Sequence, residues 1–367
     1  MLKRVFKMLT AVVPVIVASM VVVYLLLCTN TTFAQSLTIG VDSWTPHPTA
    51  RYLPSYSTPQ DWHDSHAFVK ADARGAVGSV VLSAAAQWSQ VDGARISRLD
   101  ADWRGQAGGV RAGILPYRVS WCGSERWIAE PDVFCRFAGL REISEGGAGV
   151  QAYSSATLGD WLVDAMGGAY RPMVDGQDDK LGPYVPVGPT VDHKKHGISI
   201  NALNLASGAQ WRFGWLHTNQ LQDDASGSKT AYQRQLAYDT YYLAHEAQLG
   251  GCLALRASFA QYVGAQQNKS PYRFDGQSLT LDAACRVGAG VWSVGAGQYT
   301  NVTRYPALPG VQTLRVPSAQ IAYRHDFAGG IYAIAQYMRT YDDYTLRSGV
   351  QTIRAGEAFG IRFAKEF

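Results

Sequence analysis

Eight basic side chains share one side of the chain's alternation: Lys70, Arg74, Arg98, Arg104, Arg111, Arg212, Arg256 and Arg286. Asp72, Asp100, Asp102 and Asp282 are interleaved with them on that same side. Guanidinium and carboxylate groups fixed along a wall break no bonds, but they set the field that a passing ion crosses. They also brace the wall, because an Arg beside an Asp on the next strand forms an ion pair. Both roles are expected here, divided between members of the set. A second charged group lies in residues 115–145, where Glu125, Glu130, Asp132, Glu142 and Glu145 are mixed with Arg118, Arg126, Arg136 and Arg141. Bond-making chemistry has weaker candidates. His196-Gly-Ile-Ser199 and His217-Thr-Asn219 hold types found in hydrolases, but neither has an acid at a recognisable sequence spacing. His193-Lys-Lys-His196 reads as a basic rim for phosphates rather than a metal site. The segment 175–179 has the composition of a calcium loop without its ligand spacing. No catalytic residue, metal or cofactor is expected.

The elements that must carry this wall repeat with a period of two. In the last stretch, Phe359, Ile361, Phe363 and Phe367 lie on one side, and Gly360, Arg362, Ala364 and Glu366 on the other. The same pattern sets Val80, Leu82, Ala84, Ala86 and Trp88 against Val81, Ser83, Ala85 and Gln87. It sets Leu99, Ala101 and Trp103 against Arg98, Asp100, Asp102 and Arg104. About sixteen such strands follow one another from residue 37 to the end, as expected of an all-β closed antiparallel barrel crossing a membrane. A charge on the lipid face of such a barrel costs about 2–4 kcal/mol at mid-depth, so the Arg, Lys and Asp side must be the lumen. Tight Gly-rich turns alternate with longer polar connections, which sorts the loops between two rims. Trp161, Trp211 and Trp292 stand just after short turns and Trp103 just before one, so all four are expected in one aromatic girdle.

The first 34 residues read as a signal peptide: Lys3, Arg4 and Lys7, an apolar run from 8 to 28, then small residues with cleavage after Ala34. Residues 35–367 then form one barrel domain. The full chain has 33 Lys and Arg against 29 Asp and Glu, and three of the basic residues belong to the leader. With the remainder almost balanced, a nucleic-acid partner has no support. Abundant Gly (37) and Tyr (20) with a mean hydropathy of −0.11 excludes a bundle of membrane helices but suits an exported barrel with a polar interior. Four cysteines follow the leader. Cys122 and Cys135 lie within one long connection and are expected to pair. Cys252 and Cys285 fall on opposite alternation faces and about four residues out of line, so they are expected not to meet.

The closing segment 359–367 resembles the last strand of Gram-negative outer-membrane barrels, which ends in a Phe preceded by alternating apolar residues; Lys365 departs from that pattern. Together with the strand pair running into Arg111-Ala-Gly-Ile-Leu-Pro116 and the long connection after the fifth strand, it makes the whole chain resemble the general porins. That resemblance implies a homotrimer in the outer membrane, in contact with lipid and lipopolysaccharide. It also implies a long loop folded into the barrel, with Glu125, Glu130 and Asp132 facing the basic wall across a constriction, and Phe367 closing the barrel. The expected function is a channel for passive diffusion of small hydrophilic solutes and ions, with mild anion preference. A substrate-specific channel for small organic anions is the alternative in transport; a monomeric barrel hydrolase or a surface adhesin is the alternative from another class.

Overall fold

The computed structural model describes residues 33–46, 66–89, 93–115, 147–172, 190–222, 234–267 and 271–367. Sixteen strands form one closed sheet. In chain order they are β1 (Phe33–Pro46), β2 (His66–Val77), β3 (Val80–Ser89), β4 (Gly93–Arg104), β5 (Gly108–Leu115), β6 (Gly147–Leu158), β7 (Trp161–Pro172) and β8 (Thr190–Asn204). The second half comprises β9 (Gln210–Gln222), β10 (Arg234–Leu249), β11 (Leu253–Gln267), β12 (Tyr272–Val287), β13 (Gly290–Arg304), β14 (Val311–Asp326), β15 (Ile331–Thr345) and β16 (Gln351–Glu366). Each strand pairs antiparallel with its sequence neighbours, and β16 returns to β1 through rungs from Thr38↔Glu366 to Pro46↔Ala358. The backbone N–H of Phe367 donates to the Leu37 carbonyl at 2.9 Å, which extends that seam by one more bond. Closure leaves no edge strand, so each strand finds its partners within the sheet, in a medium that offers none.

The two faces follow the alternation in the sequence. Ile39, Leu243, Phe259, Leu279, Leu281, Val294, Phe359, Ile361 and Phe363 point outward and are exposed, forming the apolar belt. On the opposite parity lie polar side chains, many of them buried against their neighbours: Ser83, Asp100, Asp102, Gln151, Thr218, Thr240 and Asn301. The membrane core replaces a second sheet as the solvent for the oily face.

The rim that carries both strand ends β1 and β16 is built of short connections, from Gly78–Ser79 to the 327–330 turn. Gly78, Gly159 and Gly288 stand there at φ 60°, 59° and 59°, a conformation that a Cβ disfavours and a two-residue hairpin requires. The other rim is less uniform than the sequence suggests. The strand ends there are separated by stretches of sequence as long as 116–146 and as short as 90–92 and 346–350.

Trp103, Trp161, Trp211 and Trp292 all face outward beside the short-turn rim. Their belt continues through other rings. Trp292 lies 4.5 Å from Tyr323, His325 lies 4.5 Å from Phe327, and Phe327 lies 6.5 Å from Phe363, centroid to centroid. The Lys365 ammonium sits 4.3 Å from the Phe367 ring centroid, so its departure from the alternation is accommodated by a cation–π contact.

The cysteine pairing corrects an expectation. Cys252 and Cys285 form a disulfide, with Cα atoms 4.8 Å apart. Leu253 is directly opposite Cys285 in the β11–β12 ladder, so Cys252 is one rung away, in the turn before β11. There the face rule lapses, because a turn residue is not held to the pleat. Cys122 and Cys135 lie outside the described residues.

Candidate functional site

The charged wall is densest on β4, β5 and β6. Asp100 and Asp102 are the carboxylates at its centre, with side chains at 0% and 1% exposure. A bare pair of buried carboxylates would be costly, and three guanidinium groups offset that cost. Arg98 bonds Asp100 two residues along the same strand, Arg104 Nε donates to Asp102 at 3.0 Å, and Arg111 bridges both, 3.6 Å from Asp100 and 3.4 Å from Asp102. The Tyr153 hydroxyl on β6 donates to Asp102 at 2.6 Å, and its ring takes the Arg111 guanidinium 5.5 Å from the centroid. Gly109 makes room for that ring: a Cβ there would stand 2.7 Å from the hydroxyl. The acids are sealed into the wall while the Arg side chains keep 22–44% of their surface open. The register is unbroken from Val80↔Trp103 to Ala85↔Arg98 and shifts only beyond it, at Ala86↔Ile96, so a bulge in β4 bounds the charged group.

The other basic residues fall on the same lumenal parity with unequal surroundings. Lys70 and Arg74 are on β2, facing Gln87 and Ser83 across the ladder. Arg212 is on β9, opposite Asn201 and Ala244. Arg256 is buried and donates to Asp282 at 3.1 Å, a wall brace. Arg286 lies close to the short-turn rim, 3.5 Å from Asp326. Lumenal acids that the sequence reading did not single out, Asp164, Glu246 and Asp326, share this face, so the wall is more mixed in sign than the eight basic residues suggest. The acidic loop residues Glu125, Glu130 and Asp132 lie outside the described residues.

Across the lumen the chemistry changes. On β10 to β15 the lumenal parity carries Tyr262, Tyr299, Leu314, Val316 and Met338 as one buried cluster, with Phe274 and Tyr344 packed on it. Tyr262 and Tyr299 stack at 7° with centroids 6.1 Å apart, and their hydroxyls are bonded to each other. Tyr238 and Tyr262 flank Phe274 at 6.0 and 5.4 Å, and Tyr272 links Phe274 to Tyr305 at 6.1 and 5.6 Å. Gly264 and Gly276 give the rings their seats: a Cβ at Gly276 would collide with Tyr262, and one at Gly264 would stand 2.7 Å from Phe274. Burial, reinforced by Tyr344 and opposed by Arg347, pushes the Tyr305 phenol above its usual range, so it is neutral at neutral pH. The signal for this strip was in the sequence: Tyr238, Tyr262, Phe274 and Tyr299 break the rule that large apolar residues take the outward parity.

Among the described residues the histidines do not assemble a hydrolase site. His196 faces outward and Ser199 inward on β8. His217 does have an acid, contrary to the spacing argument, because Asp239 of β10 lies 3.0 Å from its Nδ1. The same carboxylate accepts from Trp215 Nε1 at 3.1 Å, and the group is on the outer face. His196 completes it with a ring contact of 4.9 Å to His217. Among the described residues no cluster of three or more His, Cys, Asp or Glu could hold a metal ion.

No protein-family model matches the chain, and no curated protein sequence does. Solved structures do. The anion-selective porin from Comamonas acidovorans superposes with a TM-score of 0.62 at 12% identity, over 92% of this chain and 100% of its own. The outer membrane channel DcaP of Acinetobacter baumannii gives 0.58 at 10%, over 92% and 97%. OmpT, an outer membrane protein of Vibrio cholerae solved in a trimer form, gives 0.58 at 11%, over 92% and 100%.

Proposed function

We propose, from a barrel of the porin-like outer-membrane kind, that this chain is a passive diffusion channel for small hydrophilic solutes and ions, with mild anion preference. The observation that carries it is the arginine-rich wall of β4 and β5, whose acids are buried and whose guanidinium groups remain open to the lumen. An ion passing there meets the cations first, since Asp100 and Asp102 are covered by their partners. The acidic loop residues Glu125, Glu130 and Asp132, with a Cys122–Cys135 bridge stiffening the loop, are the proposed opposite side of a constriction. Mixed lumenal acids keep the preference mild.

The protein is proposed to be exported through residues 1–34 as a cleaved signal peptide and to sit in the outer membrane of a Gram-negative bacterium. A homotrimer is proposed, supported by the trimer form of a structural neighbour. Lipid tails would meet the apolar belt. Lipopolysaccharide would meet the outward Lys194 and His196 on the long-loop half of β8. No enzymatic activity is proposed, because the outward His217–Asp239 pair has no described serine beside it on the same face.

The test is the reversal potential in a salt gradient, for the wild type and for Arg98→Ala/Arg104→Ala/Arg111→Ala. The wild type is expected to favour anions weakly, less so at 1 M salt, where the Debye length falls to about 3 Å. The triple variant is expected to lose that preference. Unchanged selectivity would reduce these arginines to wall braces, and strong cation selectivity in the wild type would overturn the assignment.

A further inference from the structure

The inner rings of the aromatic strip on β10 to β13 pack the wall, but its half-buried rings add nothing to the passage of hydrophilic ions. It runs from Tyr305, at the long-loop rim, through Tyr272 and Phe274 to Tyr238 and Tyr262, and ends at Tyr299. Tyr299 is six residues below Tyr305 on the chain, so the strip covers about 20 Å of strand. Its rings form two layers. Tyr262, Tyr272 and Tyr299 are buried, whereas Tyr238, Phe274 and Tyr305 are half-buried and offer ring surface on the lumenal side. An apolar surface kept in the lumen, rather than turned to lipid, is unfavourable unless something covers it in use.

Charge and hydrogen bonding narrow what that is. The Arg347 guanidinium stands 5.1 Å over the Tyr305 ring at the entrance, and the guanidinium groups of Arg98, Arg104 and Arg111 line another part of the lumen. Cations at the rim and on the wall call for an anion. Polar side chains do flank the rings, with Thr240 opposite Tyr262, Gln266 opposite Tyr272 and Thr303 opposite Phe274, but a neutral carbohydrate would leave the cations at the rim and on the wall without an anion. We infer that the channel selects small aromatic carboxylates, whose flat body moves along Tyr305, Phe274 and Tyr238 while the carboxylate is drawn first by Arg347 and then by the arginine wall. This rests on the diffusion-channel reading and names its preferred cargo.

The experiment uses the full protein in planar bilayers carrying a chloride current, with benzoate, acetate or glucose added on the long-loop side. Benzoate is expected to interrupt the current with dwell times roughly two- to tenfold longer than acetate, the scale of a ring stacking contact. Glucose is expected to give none. Phe274→Leu, which keeps apolar volume without a ring, and Tyr305→Leu, at a position outside the strands, should each bring benzoate towards acetate. Arg347→Gln should lower the frequency of benzoate events and leave their length unchanged. A conducting pore that treats benzoate and acetate alike, or benzoate dwell times unaltered in both ring variants, overturns the inference and leaves the diffusion channel standing. Glucose interruptions longer than those of benzoate overturn it in favour of a sugar path. Absence of any chloride current removes the channel reading and this inference with it.

Discussion

Asp102 shows how one residue can hold a wall together while contributing little of its own charge to the lumen. It accepts from Tyr153, Arg104 and Arg111 at once, at 1% side-chain exposure. Asp102→Asn keeps the shape but weakens three charge-assisted bonds, so it should cost about 1–3 kcal/mol of stability. It should also shift the reversal potential further towards anions, because three guanidinium groups would then face one acid. A shift towards cations would show that Asp102 is not the counter-charge of this cluster. The parity of Asp102 was legible in the sequence, since Trp103 and Ala101 on either side are apolar. Its partnership with Tyr153 was not, because it crosses 51 residues and depends on the register of two ladders. The His217–Asp239 contact was not legible for the same reason: a spacing rule works along a chain, and this pair meets across a ladder.

At the scale of elements, the strands were readable because period-two alternation is local and the membrane makes it strict. The register at the turns was not readable. Alternation gives Cys252 a face as though it lay in a strand, but one residue of turn is enough to bring it to Cys285. Alkylation under denaturing, non-reducing conditions should therefore leave both of these thiols unlabelled, and labelling of either would contradict the pairing. The aromatic strip depends on element geometry too, because glycine on one strand seats a ring from the next. Gly276→Val would drive a branched side chain into the Tyr262 ring and should destabilise the barrel by about 1–3 kcal/mol, read as a lower temperature for the gel-mobility transition. An unchanged transition would mean that the ring moves aside without loss, and that the stack is not a fixed part of the wall.

For the whole molecule, the closed sheet, the outward apolar belt and the aromatic girdle beside the short turns require a protein that keeps its β-structure in detergent. Its mobility on a gel should shift on heating, and its circular dichroism should be almost purely β; a helical spectrum would contradict the fold. The aromatic wall opposite the basic one was not legible in the sequence, since opposite walls are brought together only by closure: an arginine-rich wall on β4 and β5, an aromatic one on β10 to β13. Whether that lumen carries water and ions is the central claim. Single-channel recording on the purified, reconstituted protein tests it most directly. The expected result is discrete steps of near-ohmic current that scale with salt concentration, and a protein that inserts into the bilayer yet passes no current would contradict it.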